Sequence, residues 1–204
     1  MILPRSSARA VASLVAAFAF VFGLLGADGL AAQTPERFEF SEVHMGTEFR
    51  IVFYASGAQA ADAAARSTFA ALARLDSLFS DYRDDSEIAE VAARAGSGAL
   101  HVASPELTSL LTEAVRWAER SGGAFDPTLG PLTKLWRWSA RRGELPDSSR
   151  LHEAKSRVGF EGLRVEPSGG VALVRSGMSL DLGGIAKGFA GDVMLAILAG
   201  YGVE

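Results

Sequence analysis

Between Glu48 and Phe79 the hydrophobic period changes from two to about 3.6, which commits the chain to a fold mixing strands with helices. Residues 48–54 (Glu-Phe-Arg-Ile-Val-Phe-Tyr) alternate as a half-buried strand does and are rich in β-branched and aromatic side chains. Residues 38–43 alternate more loosely, and His44-Met45-Gly46-Thr47 leaves room only for a tight connection between the two. Residues 58–79 are alanine-rich and carry Phe69, Leu72, Leu75 and Phe79 on one side at helical spacing. Ser104-Pro105 opens another helix, with Ser as N-cap and Pro at the first position, where its missing N–H costs nothing. Leu107, Leu110, Leu111, Ala114 and Ala118 form the apolar stripe of that helix, and Gly122-Gly123 end it. Residues 147–158 predict a shorter helix, and residues 163–165 and 171–174 a hairpin around Pro167-Ser168-Gly169-Gly170. Residues 178–182 predict a strand and 185–198 a last helix. The expected fold is a single α+β domain, a mixed or antiparallel sheet with packed helices.

The first thirty residues read as an address. Arg5 and Arg9 precede an uncharged apolar run over residues 11–25, and small residues follow at Gly29-Leu30-Ala31-Ala32. The run is shorter than the ~20 residues that cross a bilayer as a helix. This is the pattern of a secretory signal peptide over residues 1–32, cut near Ala31 or Ala32, with 33–204 as the mature chain. An uncleaved anchor or a buried first helix are the alternatives, and Gln33-Thr34-Pro35-Glu36 favours cleavage because it does not continue a helix. The expected location is periplasmic or otherwise exported, with membrane association only through an uncleaved N-terminal segment. Cysteine is absent, which excludes disulfides, thiolate metal sites, a cysteine nucleophile and a lipid-modified N-terminal cysteine. A net charge of −4 leaves no basic surplus to displace phosphate counterions, so nucleic acid is not an expected partner. Arg141-Arg142 is a lone pair, read as part of a solvated turn.

Three stretches can carry chemistry. In Asp181-Leu182-Gly183-Gly184-Ile185-Ala186-Lys187-Gly188 a strand runs through two glycines into a helix start. Unpaired N–H groups there can hold phosphate oxygens, and Lys187 can add charge. The spacing fits neither a Walker A loop nor a dinucleotide fingerprint, and a plain, closely packed turn is the alternative. Gly188 and Gly191 inside the helix each cost roughly 1 kcal/mol against Ala, which predicts a close neighbour at both. The stretch from Ser121 to Leu132 holds two adjacent glycines, two prolines, Asp126 and Thr128. It reads as a rigid pocket-lining loop, or as a helix end followed by a helix capped by Asp126 with Pro127 at its first position. Phe79-Ser80-Asp81-Tyr82-Arg83-Asp84-Asp85-Ser86-Glu87-Ile88 lacks calcium-loop spacing and reads as a polar helix-to-helix turn. Trp136 and Trp138 read as core or surface cover. His44, His101 and His152 show no metal-ligand spacing.

Taken together, the motifs resemble one family. Met45-Gly46-Thr47, Tyr82-Arg83-Asp84-Asp85-Ser86-Glu87, Gly122-Gly123-Ala124-Phe125-Asp126-Pro127-Thr128-Leu129-Gly130-Pro131-Leu132 and Asp181-Leu182-Gly183-Gly184-Ile185-Ala186-Lys187-Gly188 stand in the order seen in the ApbE family, the FAD:protein FMN transferases. The resemblance implies a T-fold-related domain and a periplasmic, Mg²⁺-dependent enzyme. Such an enzyme takes FAD as substrate, moves FMN onto a Thr or Ser hydroxyl of an exported flavoprotein of the electron-transport type, and releases AMP. Carried over to this chain, Met45 and Tyr82 contact the flavin nucleotide, Ala124, Phe125 and Asp126 line the same pocket, and Gly183 lies beside the ligand. Lys187 and Phe189 join them, and the carbonyl of Ala186 helps ligate the metal. No single catalytic residue is assigned.

The family also carries a later segment, His-x-Ile-x-Asp-Pro-x-Thr-Gly in character, that supplies the metal's carboxylate and hydroxyl ligands. Nothing between Asp192 and Glu204 resembles it. The expectation is therefore a C-terminally incomplete, inactive chain with an exposed sheet edge. Two alternatives share the scaffold: an FAD pyrophosphatase releasing FMN and AMP, and a non-catalytic periplasmic flavin-binding protein.

Overall fold

The computed structural model describes residues 34–203; the signal peptide expected over residues 1–32 lies outside the described residues. The chain starts with a hairpin of two nine-residue strands, β1 (Glu36–His44) and β2 (Thr47–Ala55), in antiparallel register from Glu36↔Ala55 to His44↔Thr47. Alternation in β2 sorts its faces: Ile51, Phe53 and Ala55 are buried while Arg50, Val52 and Tyr54 face out. The buried face is covered by α1 (Ala58–Phe79), which turns Ala61, Ala64, Ala65, Phe69, Leu72, Leu75 and Phe79 inward.

After α1 comes a short helix, α2 (Glu87–Ala93), started by the Ser86 hydroxyl accepting the Ala89 amide at 3.2 Å. The polar turn expected over residues 79–88 thus joins α1 to α2. The next strand, β3 (His101–Val102), leads into α3 (Pro105–Arg120), capped by Ser104 as expected. Then follow α4 (Gly130–Arg142) and α5 (Ser148–Ser156), packed on one another. A second sheet of order β3-β5-β4 is built from β4 (Leu163–Val165) and β5 (Gly170–Leu173), again antiparallel throughout. The last helix, α6 (Ala186–Gly200), lies along α1. One core joins these layers, with Leu72, Leu107, Leu110, Leu111, Leu173 and Leu182 among its fully buried side chains. Among the described residues, neither outer edge of the β1–β2 hairpin has a strand partner, and no helix is long and apolar enough to cross a membrane.

Three expectations need correction. Residues 178–182 do not form a strand. Ser179 makes a single parallel bridge to Leu129, and the Asp181 amide donates to the Pro127 carbonyl at 2.8 Å. Pro127 has no N–H to return, so the ladder cannot lengthen. The helix expected to be capped by Asp126, with Pro127 at its first position, begins three residues past Pro127, at Gly130 with Pro131 in its first turn. The reason is that the Asp126 side chain turns back on its own loop instead of capping. Gly188 and Gly191 have no close neighbour: a Cβ at either would meet nothing within 4 Å among the described residues. Both fall on the outer side of α6, while Ala186, Ala190, Met194 and Leu198 supply its buried side.

Candidate functional site

The hairpin tip is a two-residue turn, Met45-Gly46, with φ of 50° and 69°. Hairpin loops of this length favour positive φ at both central residues, because that matches the twist of the strands. Glycine adopts it freely; methionine does so at a cost of about 1–3 kcal/mol. Met45 is the one non-glycine residue in this region of φ among the described residues. Its amide donates to Asp76 Oδ2 at 3.1 Å, from near the end of α1.

That tip forms one wall of a cavity of about 480 Å³, a size that suits a nucleotide-scale ligand. The end of α1 and the residues after it, Asp76, Phe79, Asp81 and Tyr82, form a second wall, and Arg137 of α4 a third. The turn Asp181-Leu182-Gly183 with Ala186 and Lys187 of α6 closes the remaining side. Five residues singled out from the sequence, Met45, Tyr82, Gly183, Ala186 and Lys187, therefore surround one space.

Arg137 organises the charge. It is paired with Asp81, lies 3.8 Å from Asp181, and sets its guanidinium 4.4 Å from the centre of the Tyr82 ring. Burial works against its positive charge, but the hydrogen bond and charge of Asp81, with Tyr82 and Asp181 behind them, outweigh that and raise its pKa above the ordinary arginine value. Tyr82 is 77% exposed. One face of its ring carries Arg137 and the other is open, which makes it a stacking surface already fixed in place. Lys187, in contrast, has no carboxylate within ion-pair distance among the described residues, so its ammonium is available.

The start of α6 has no side-chain cap. The amides of Ile185 and Ala186 both go to the Leu182 carbonyl, and that of Phe189 to Ile185. The intervening Lys187 and Gly188 amides have no backbone acceptor among the described residues, leaving two donors at the positive end of the helix beside the Lys187 charge.

Ala124, Phe125, Asp126 and Phe189 do not line this cavity. Ala124 is exposed. Phe125 belongs to a smaller hollow of about 250 Å³ on the other side of the Gly183-Gly184 turn, shared with Trp117, Gly184 and Ile185. A Cβ on Gly184 would lie 3.2 Å from the Phe125 ring, so glycine permits this contact. Asp126 is buried, its Oδ1 accepting the amide and hydroxyl of Thr128 at 2.7 and 2.6 Å and its Oδ2 the Phe160 amide at 3.0 Å. Phe189 packs edge-on against Phe79, with ring centres 6.0 Å apart, behind the cavity wall. Asp76, Asp81, Arg137, Asp181 and Trp117 were not assigned from the sequence. The available signal was weak: polar residues near the apolar end of α1, and one arginine between two tryptophans. Trp138 is surface cover, flanked by Arg142 and Arg150 at 4.5 and 4.8 Å.

A magnesium ion, which the family resemblance implies, finds no complete donor set here. No cluster of three or more His, Asp or Glu side chains able to hold a metal occurs among the described residues. Asp81 and Asp181 both face Arg137, and Asp181 Oδ1 also accepts the Gly183 amide at 2.9 Å. The Ala186 carbonyl alone cannot hold a hard divalent cation.

The model of the ApbE family matches residues 45–204. The chain is 37% identical over 171 residues to the FAD:protein FMN transferase of Treponema pallidum, covering 80% of this chain and 47% of that protein. It is 32% identical over 137 residues to the FAD:protein FMN transferase of Vibrio cholerae, covering 65% and 40%. Among solved structures, the flavin transferase ApbE of Vibrio cholerae superimposes with a TM-score of 0.75 at 26% identity, covering 84% of this chain and 56% of that one. The ApbE protein of Thermotoga maritima gives 0.72 at 26%, covering 81% and 53%. The chain spans about half the length of the curated relatives it matches.

Proposed function

The chain belongs to the ApbE family, and on that premise we propose that it binds FAD for an FAD:protein FMN transferase reaction. The observation that carries this reading is the convergence on one cavity of an open tyrosine face, a free ammonium and uncapped helix amides. A dinucleotide presents that combination in reverse: planar rings joined by a doubly charged pyrophosphate. In the transfer, a Ser or Thr oxygen of the acceptor protein attacks the FMN-side phosphorus. The bond from that phosphorus to the bridging oxygen breaks, AMP leaves with the oxygen, and the hydroxyl proton passes to solvent. Phosphoryl transfer of this kind depends mainly on positioning and on neutralising charge. Lys187 and the α6 amides neutralise charge, and Tyr82, held by Arg137, orients the ring. Magnesium belongs to the same proposal through the family resemblance, and so do the exported flavoprotein acceptor and a periplasmic location.

Flavin fluorescence titration of the chain tests the binding step. Tyr82→Ala and Lys187→Ala are each expected to weaken FAD about tenfold, the worth of one stacking or charge-assisted contact; unchanged affinity in both would remove the cavity from the reaction. Incubation with FAD, Mg²⁺ and a Ser/Thr acceptor protein, read by mass spectrometry, tests the chemistry. FMN attached to the acceptor supports transfer, and free FMN with AMP points to hydrolysis instead.

A further inference from the structure

We infer that Asp76 is a positioning residue, holding the Met45-Gly46 turn so that Met45 forms the cavity wall. The inference rests on the reading of the cavity as an FAD site. A methionine is a poor choice for a turn that needs positive φ, where Asn, Asp or Gly fit better. Its side chain packs against the core while it lines the cavity, so it is placed there for what it touches. Sheet pairing does not hold the turn beyond His44↔Thr47, the last pair of the hairpin. The restraint comes from a residue 31 positions away: Asp76 Oδ2 takes the Met45 amide at 3.1 Å and lies 4.0 Å from His44 Nδ1. The same carboxylate faces the cavity. One side chain thus ties the hairpin tip to the end of α1, the two elements that must keep a constant distance if a ligand is to be gripped between Met45 and Tyr82. Water could satisfy that amide equally well; what Asp76 adds is location.

The test uses the chain as it stands, with two readouts: FAD affinity by flavin fluorescence and exchange of the Met45 amide by NMR. Asp76→Ala is expected to weaken FAD about tenfold and to speed Met45 exchange by a similar factor, the scale of one charge-assisted hydrogen bond. Asp76→Asn keeps an oxygen acceptor without the charge and is expected to restore both to within about threefold. Unchanged FAD affinity in Asp76→Ala, with exchange accelerated, overturns the positioning role. An Asn variant as weak as Ala overturns it too, by assigning the effect to charge. If the unaltered chain binds no FAD, the reading of the cavity fails; unchanged Met45 exchange in Asp76→Ala then overturns the restraint separately. Should the alanine variant lose its helical circular dichroism, Asp76→Ser decides by the same readouts.

Discussion

Thr128 donates its hydroxyl proton to Asp126 Oδ1 at 2.6 Å while accepting the Gly159 amide at 2.8 Å, so the two side chains act as one clasp between distant loops. The second Asp126 oxygen holds Phe160. Asp126 and Thr128 are buried and the Gly159 and Phe160 amides half-buried; a buried amide left without its acceptor costs about 1–3 kcal/mol. Asp126→Ala strands the Thr128 and Phe160 amides together, and a loss of about 3 kcal/mol or more is expected in urea unfolding. A loss under about 0.5 kcal/mol would contradict the clasp.

Gly130 is packed closely against the Ser179 backbone. A Cβ there would overlap the Ser179 hydroxyl oxygen and lie 2.6 Å from its carbonyl oxygen. Backbone cannot swing aside as a flexible side chain can, so Gly130→Ala should cost about 1–3 kcal/mol or more, read as a fall in Tm. A variant as stable as the parent would contradict the packing of the Leu129↔Ser179 bridge.

Gly188 makes the opposite case. With open space around it, Gly188→Ala should stabilise α6 by up to about 1 kcal/mol. If Tm rises and FAD affinity is unchanged, the glycine serves neither packing nor ligand. A rise in Tm with a loss of affinity would show that the bare backbone is needed by whatever approaches the helix start.

The Arg74–Glu106 pair, at 2.9 Å, links α1 to the first turn of α3. The hydrogen bond from Arg74 is the main cause, ahead of Glu106's own amide, that holds the Glu106 carboxyl below the usual glutamate range. A lowered folded pKa favours the ionised form. The pair's contribution is therefore present above the ordinary value of about 4.3 and fades as pH falls through the lower folded value. Titration of the Glu106 carboxyl by NMR should show Arg74→Ala moving its pKa upward. The stability difference between the two chains should vanish in acid.

Local pattern made much of this fold legible. The 58–79 helix, the Ser104 cap and the 163–173 hairpin each declare themselves through period, capping residue or turn glycines. The segment 178–182 misled because Met178, Leu180 and Leu182 alternate like a strand and are buried like one; strand formation needed a neighbour's N–H, which Pro127 lacks. At the site, motif residues of the hairpin tip, Tyr82 and the start of α6 could be named. Asp76 and Arg137 could not, because their importance lies in partners 31 and 56 positions away. The separation of Phe125 from the main cavity by the Gly183-Gly184 turn was equally out of reach, since it depends on which side of a loop a ring falls.

The joints between the 127–130 and 178–181 segments have a mechanical corollary. The parallel bridge at Leu129 and Ser179, the Pro127–Asp181 hydrogen bond and the contact at Gly130 weld two chain segments at three successive points. They fix the backbone at Asp181, the point where this segment joins the cavity wall. The facing walls are tied from elsewhere: the Met45 amide by Asp76, and Tyr82 by the Ser80 hydroxyl at its amide and by Arg137 at its ring.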